Sequence, residues 1–202
     1  MTGAPVSLRV FLASGHCLVI AGPGDITCES SEAIVNAANS SLMGGGGVDG
    51  AIHHAGGPTI LAACKAIVAR HGRLPGGQAV ATPGGWLAAK YVIHTVGPVW
   101  SGGHRNEPAA LASCHTEAIR VADELQLQTM AFPAISTGIY GYPIDLAAQV
   151  AISSTAKALS EAVHVREVKF VLFDCGALQH FCDAAKMYAE DKSLRLDSDH
   201  AP

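Results

Sequence analysis

The stretch Ala33-Ile34-Val35-Asn36-Ala37-Ala38-Asn39-Ser40-Ser41-Leu42-Met43-Gly44-Gly45-Gly46-Gly47-Val48-Asp49-Gly50 decides how the rest of the chain is read. Residues 33–36 form a short apolar run of strand type, and residues 37–41 lead out of it. Four consecutive glycines, Gly44 to Gly47, follow, and a helical pattern runs from Val48 to about residue 55. A strand that feeds a helix through a loop is the building unit of an α/β sheet, and ligands of such sheets sit beyond the carboxyl ends of the strands. Glycines let backbone N–H groups converge, and the helix start adds positive partial charge, so the loop suits a phosphate. Taken by itself, a glycine run is more often a flexible turn. No Gly-Lys-Ser/Thr follows the glycines, which excludes a nucleoside-triphosphate loop, and the spacing is not the dinucleotide fingerprint.

Outward from this unit the pattern repeats. Residues 6–12 and 17–21 read as two strands around the Ser14-Gly15 turn, and they would supply an antiparallel edge. Pro58 opens a second helix that reaches about residue 70. Strands are expected at 79–82, 91–95, 129–132 and 168–173, and helices at 108–125, 144–162 and 178–190. Residues 98–108 are polar and glycine-containing and read as a loop. The expected fold is a three-layer α/β/α sandwich with a mixed, mostly parallel sheet. Residues 1–190 make one domain, and residues 191–202 a flexible, frayed tail.

Composition narrows the class. Hydrophobic residues make up 49% of the 202-residue chain and charged residues only 15%, which fits a sheet buried on both faces. A net charge of −4 and the absence of a basic run argue against nucleic-acid binding, which needs phosphate neutralisation. No signal-like N-terminus and no membrane-length apolar run are present, so a cytoplasmic protein without a membrane partner is expected. The six cysteines form no C-x-x-C pair, and all but Cys28 lie in largely apolar stretches, which predicts buried, reduced thiols.

A second loop, Ser136-Thr137-Gly138-Ile139-Tyr140-Gly141-Tyr142-Pro143, also leaves a strand and precedes a helix. Its Ser, Thr and Gly can present donors to a phosphate, and Tyr140 could lay its ring on a sugar; a plain tight loop with a tucked aromatic explains the same residues. Two such loops together favour a diphosphate between them. Three polar residues stand near them, each with an ordinary explanation. Asp49 suits a helix start, Asn39 a turn, and Asp25 the turn after a strand.

Joined in one chain, these pieces form a pattern. Gly24-Asp25-Ile26-Thr27, Ile34 to Ser40, Gly44 to His53, Ile93-His94-Thr95-Val96-Gly97-Pro98-Val99-Trp100 and Pro133 to Gly141 resemble the macrodomain family. Within it they are similar to the MacroD type, and especially to bacterial O-acetyl-ADP-ribose deacetylases. The resemblance spans roughly residues 7–190 and implies an ADP-ribose site. Asp25 would accept from the adenine amino group, with the backbone of Ile26 on the same base. Phe173, expected at the end of a core strand, would stack on adenine, although a plain core residue fits that position as well. Gly47 and Val48, with Ser136, Thr137, Gly138, Ile139 and Tyr140, would cradle the diphosphate and distal ribose. Asn39 would hold the distal ribose hydroxyls, and Asp49 would be the catalytic acidic residue.

The implied reaction is hydrolysis of an ester on the distal ribose, in O-acetyl-ADP-ribose or in mono-ADP-ribose carried by acidic protein side chains. Asp49 would either take a proton from the attacking water or orient it, and a carboxylate steadied by a helix start is the weaker base. No nucleophile elbow is visible, so no covalent intermediate is expected. His53 and His54 point to different helix faces and read as structural or rim residues. Glycines stand where zinc-dependent relatives carry His and Cys, so neither metal nor cofactor is expected. The partners implied are ADP-ribose, its O-acyl esters and mono-ADP-ribosylated proteins. The rival readings are a non-catalytic ADP-ribose reader, from which the pairing of Asn39 with Asp49 distinguishes a hydrolase, and an interaction module that merely keeps the pocket.

Overall fold

The computed structural model describes residues 6–199. Its strands are β1 (Val6–Phe11), β2 (Cys17–Gly22), β3 (Ala33–Ala37), β4 (Ala79–Pro83), β5 (Tyr91–Thr95), β6 (Thr129–Phe132), β7 (Glu167–Val171) and β8 (Arg195–Asp199). Its helices are α1 (Gly47–Gly56), α2 (Pro58–His71), α3 (Glu107–Glu124), α4 (Ile144–Glu161) and α5 (Cys175–Asp191). One eight-stranded sheet runs in the order β4-β5-β3-β6-β7-β2-β1-β8. The run from β5 to β2 is parallel, whereas β4, β1 and β8 join antiparallel.

Burial separates the layers. Residues 33 and 35 of β3 face a core shared with α3, α4 and α5, while Ile34 and Ala38 face a second core with Ile52 of α1 and Ile60 and Cys64 of α2. This alternation follows from the period of two along a strand. The expected three-layer sandwich is therefore the fold. It also sets the site: parallel strands leave the same edge, so the loops after β2, β3, β5, β6 and β7 gather there.

Several expectations change. Residues 195–199 pair with β1 as an edge strand instead of fraying, so the hairpin of β1 and β2 is not the sheet edge. The alternation Arg195-Leu196-Asp197 gave a strand pattern too short to separate from a polar tail; residues 200–202 of the expected tail lie outside the described residues. The strand expected at 168–173 ends at Val171, which leaves Phe173 off the sheet. Helix α5 begins three residues early because Asp174 caps it, accepting from the Ala177 N–H at 2.8 Å. All six cysteines are free, but only Cys64, Cys114 and Cys182 are buried; Cys28 and Cys175 are exposed. Among the described residues no helix is long and apolar enough to cross a membrane.

The larger core holds a buried histidine. His115 packs between Phe132 and Phe170, with ring centroids 5.1 and 5.9 Å away, and its Nδ1–H donates to the Leu111 carbonyl at 2.9 Å. Burial drives its pKa down to about 4, against a smaller opposing effect of that hydrogen bond. In the unfolded chain a histidine takes a proton near about pH 6.5. The folded chain resists protonation until about pH 4, so stability is lost as pH falls through that window. His115→Met should reduce the acid sensitivity by about one proton, or about 1.4 kcal/mol per pH unit. Urea unfolding at several pH values between 7 and 4 checks this, and an unchanged slope would contradict it.

Candidate functional site

The quoted stretch brings two polar side chains onto Asp49. Asn36 lies on β3, facing the helices α1 and α2, and is fully buried. Its Nδ2 donates to Asp49 Oδ1 at 2.7 Å. The same nitrogen lies 3.0 Å from Nδ1 of His94, its register partner on β5. That contact makes Nδ1 the acceptor, so the ring N–H is on Nε2, 2.9 Å from Thr82 Oγ1. Burial, followed by nearby His53, lowers the His94 pKa to about 3, which keeps the ring neutral. Asp49 thus rests on a rigid row of neutral groups that starts in the sheet.

Asn39, the second amide, organises the loop. Its Oδ1 accepts from the N–H and the hydroxyl of Ser41, while its Nδ2 donates to the Gly44 carbonyl at 2.9 Å and stands 3.5 Å from Asp49 Oδ2. The glycines permit this closeness. A Cβ on Gly50 would meet the Gly45 carbonyl oxygen at 2.5 Å, and one on Gly45 would stand 3.0 Å from Asp49 Oδ2. Helix α1 begins at Gly47, so the N–H groups of its first turn are not used inside the helix.

The second loop closes the other side. Ser136 is buried with φ +68, an uncommon conformation for a residue with a Cβ, and its Oγ has no hydrogen-bond partner. The loop after β5 supports it from behind: the Trp100 N–H donates to the Tyr140 carbonyl at 2.8 Å, and the Trp100 ring lies 4.5 Å from that of Tyr142. Glu107 gathers that loop by accepting from the N–H groups of Ser101, Gly103 and Arg105 and from the Ser101 hydroxyl. Burial raises the Glu107 pKa, but these bonds outweigh it and hold the carboxyl at about 2.

Two cavities meet between the loops. One, of about 250 Å³, is lined by Asn39, Gly47, Val48, Asp49, Ser136, Gly138, Ile139 and Tyr140. The other, of about 410 Å³, is lined by Asp25, Ile26, Gly47, Val48, Thr137, Gly138 and Phe173. Gly47, Val48, Gly138 and Ala134 belong to both, so the two form one groove with a narrow waist. Asp25 is exposed and caps a 3₁₀ turn, accepting from the N–H and hydroxyl of Thr27 through Oδ1. Phe173 is 82% exposed, so it is not a core residue but a free ring at the groove's end.

Every residue expected at a site lines this groove. Asn36, His94, Glu107 and Trp100 were not singled out. Of the two histidines read as structural or rim residues, His53 is the structural one, its Nε2 3.5 Å from Asp49 Oδ1, and His54 is exposed at the rim. A signal for Asn36 and His94 was present in the sequence: each interrupts an apolar parallel strand, and a buried polar group needs a partner.

Comparison with known proteins agrees with this architecture. The sequence profile of the macro domain matches residues 35–151. A macro domain-containing protein of Streptomyces coelicolor is 56% identical over 160 residues, covering 78% of this chain and 92% of the relative. An O-acetyl-ADP-ribose deacetylase of Cronobacter turicensis is 52% identical over 151 residues, covering 75% of this chain and 86% of the relative. Among solved structures, the Oceanobacillus iheyensis macrodomain with ADP superposes with a TM-score of 0.88 at 38% identity, covering 94% of this chain and 100% of that one. With the profile, the relatives and the superposition in agreement, this chain belongs to the macro domain family.

Proposed function

We propose that the chain binds ADP-ribose along the groove and hydrolyses esters on the distal ribose: the acetyl ester of O-acetyl-ADP-ribose, and mono-ADP-ribose esterified to acidic protein side chains. The observation that carries this reading is the buried Asp49, fixed through Oδ1 and set at the floor of a cavity beside Asn39. Adenine lies in the larger cavity, against Asp25, Ile26 and Phe173. The diphosphate crosses the waist, where the first N–H groups of α1 and the glycine of the second loop supply donors. The distal ribose enters the smaller cavity between Asn39 and Tyr140.

The tether assigns different tasks to the two carboxylate oxygens. Oδ1 is tied to Asn36, so Oδ2 is the oxygen that meets a water. From there it aims the water at the ester carbonyl and accepts its proton, or aims it while a substrate oxygen accepts the proton. The naming of similar proteins as O-acetyl-ADP-ribose deacetylases supports the acetyl ester.

Base selection rests on Asp25. A carboxylate accepts from the adenine amino group and repels the guanine carbonyl. Asp25→Ala should weaken ADP-ribose binding by about 1–3 kcal/mol, the range for a charge-assisted hydrogen bond. Calorimetry should also show the guanine analogue binding much more weakly to the parent, and equal affinity for the two bases would contradict the placement.

Catalysis rests on Asp49. Asp49→Ala should slow single-turnover hydrolysis of O-acetyl-ADP-ribose by about 10²–10⁴-fold while ADP-ribose still binds. Asn39→Ala should place more of its effect in binding. Undiminished hydrolysis in the Asp49 variant would remove its role. Binding without hydrolysis in the parent would make the chain a reader of ADP-ribose.

A further inference from the structure

Behind the carboxylate lies a second group of side chains that the proposed reaction does not use. His53, Cys64 and His94 each offer one ligand atom, and these atoms lie within 4.8 Å of one another. Cys64 comes from α2 and His94 from β5, and both are fully buried; His53 comes from α1, with its side chain 13% exposed. Cys64 Sγ stands 3.7 Å from His94 Nε2. His53 Nε2 is buried without a hydrogen-bond partner and faces Asp49 Oδ1 at 3.5 Å.

We propose that this cluster is an inhibitory site for a borderline-soft divalent cation of the zinc type, with Asp49 as the fourth ligand. Tetrahedral zinc holds sulfur at about 2.3 Å and nitrogen at about 2.0–2.1 Å, which sets ligand atoms about 3.4–3.6 Å apart. The Cys64–His94 and His53–Asp49 separations, 3.7 and 3.5 Å, stand close to that spacing, whereas the atoms of His53, Cys64 and His94 together span up to 4.8 Å, so the side chains draw in around the ion and Asp49 turns to join them. One thiolate, two imidazoles and one carboxylate form a donor set that prefers zinc to magnesium or calcium. The ion enters from the ribose cavity, which Asp49 alone of the four lines.

The protons balance. Cys64 releases its thiol proton to solvent as it binds. His94 binds through Nε2, so its ring proton moves to Nδ1. Asn36 can then turn its amide to accept that proton with Oδ1, an atom that is buried and unpartnered in the metal-free arrangement. The turn releases Asp49 Oδ1 to the ion at the same moment. Occupancy therefore replaces the Asn36 tether on Oδ1 by a cation, which draws negative charge from Oδ2 and turns the carboxylate out of the aim that Asn36 gives it, so the metal slows hydrolysis instead of assisting it.

The inhibitory half rests on the hydrolytic reading; the site itself does not. The test uses the full chain, freed of metal, with Zn²⁺ and Co²⁺ as probes. One equivalent of Co²⁺ should give a thiolate-to-metal charge-transfer band in the near ultraviolet. Zn²⁺ should displace it and slow hydrolysis by about 10²–10⁴-fold, the loss expected when Asp49 no longer serves the water, and a chelator should restore the rate. Cys64→Ser and Cys64→Ala should keep metal-free hydrolysis and ADP-ribose binding but lose both the band and the inhibition. A parent without the band, or zinc inhibition that persists in both cysteine variants, overturns the proposal. A band that depends on Cys64 in a parent that binds ADP-ribose without hydrolysing it would support the site and remove the hydrolytic reading.

Discussion

The hydrogen bond from the buried Asn36 amide to Asp49, 2.7 Å long, joins the sheet to the first turn of α1. Asp49 is only 4% exposed. A charge removed from water at that depth needs a fixed partner, because leaving it unpaired costs several kcal/mol. Here the partner is a neutral amide, held in turn by a neutral imidazole on the neighbouring strand. The row carries no cation that would neutralise the carboxylate. It therefore fixes the direction of Asp49 in the cavity.

The rest of the arrangement follows from bringing a helix start this close to a strand end. Residues 38–46 turn back over Asp49; the contact at Gly50 leaves no room for a side chain, and a Cβ on Gly45 would press on the Asp49 carboxylate. Within the glycine run Gly45 serves packing, whereas Gly44 and Gly47 serve conformation, with φ +82 and +61. Opening of the α1 N–H groups to the groove is a consequence of the same close approach. On the far side, Gly97 lets the Ser136 loop close down, since a Cβ there would stand 2.2 Å from Ser136 Oγ. Glu107 then holds the supporting loop by three backbone N–H groups, so both walls of the groove are tied to rigid elements.

The layers and the order of elements were legible because apolar periodicity and turn residues are local signals. Asp25, Asn39 and Asp49 each have an ordinary local explanation, and only the resemblance to the macrodomain family picked them out as residues that here line the groove. Asn36 and His94 were not picked out, although each stands in a quoted motif. They are fifty-eight positions apart, and only the parallel register of β3 and β5 makes them partners. His53 is structural, as one of the two readings had it, and its nearness to Asp49 follows from the four-residue spacing along α1. Phe173 was placed on a strand because an apolar run does not reveal where its pairing stops. The edge strand at 195–199 was lost to the polarity of its outward residues.

In the proposed hydrolysis Asn36 acts through the carboxylate it positions, Asp49. The direct measurement is the single-turnover rate of O-acetyl-ADP-ribose hydrolysis in a double-mutant cycle of Asn36→Ala and Asp49→Ala. If the amide works by positioning the carboxylate, Asn36→Ala slows the parent but costs nothing further once Asp49 is gone. Multiplying effects of the two substitutions would contradict that account.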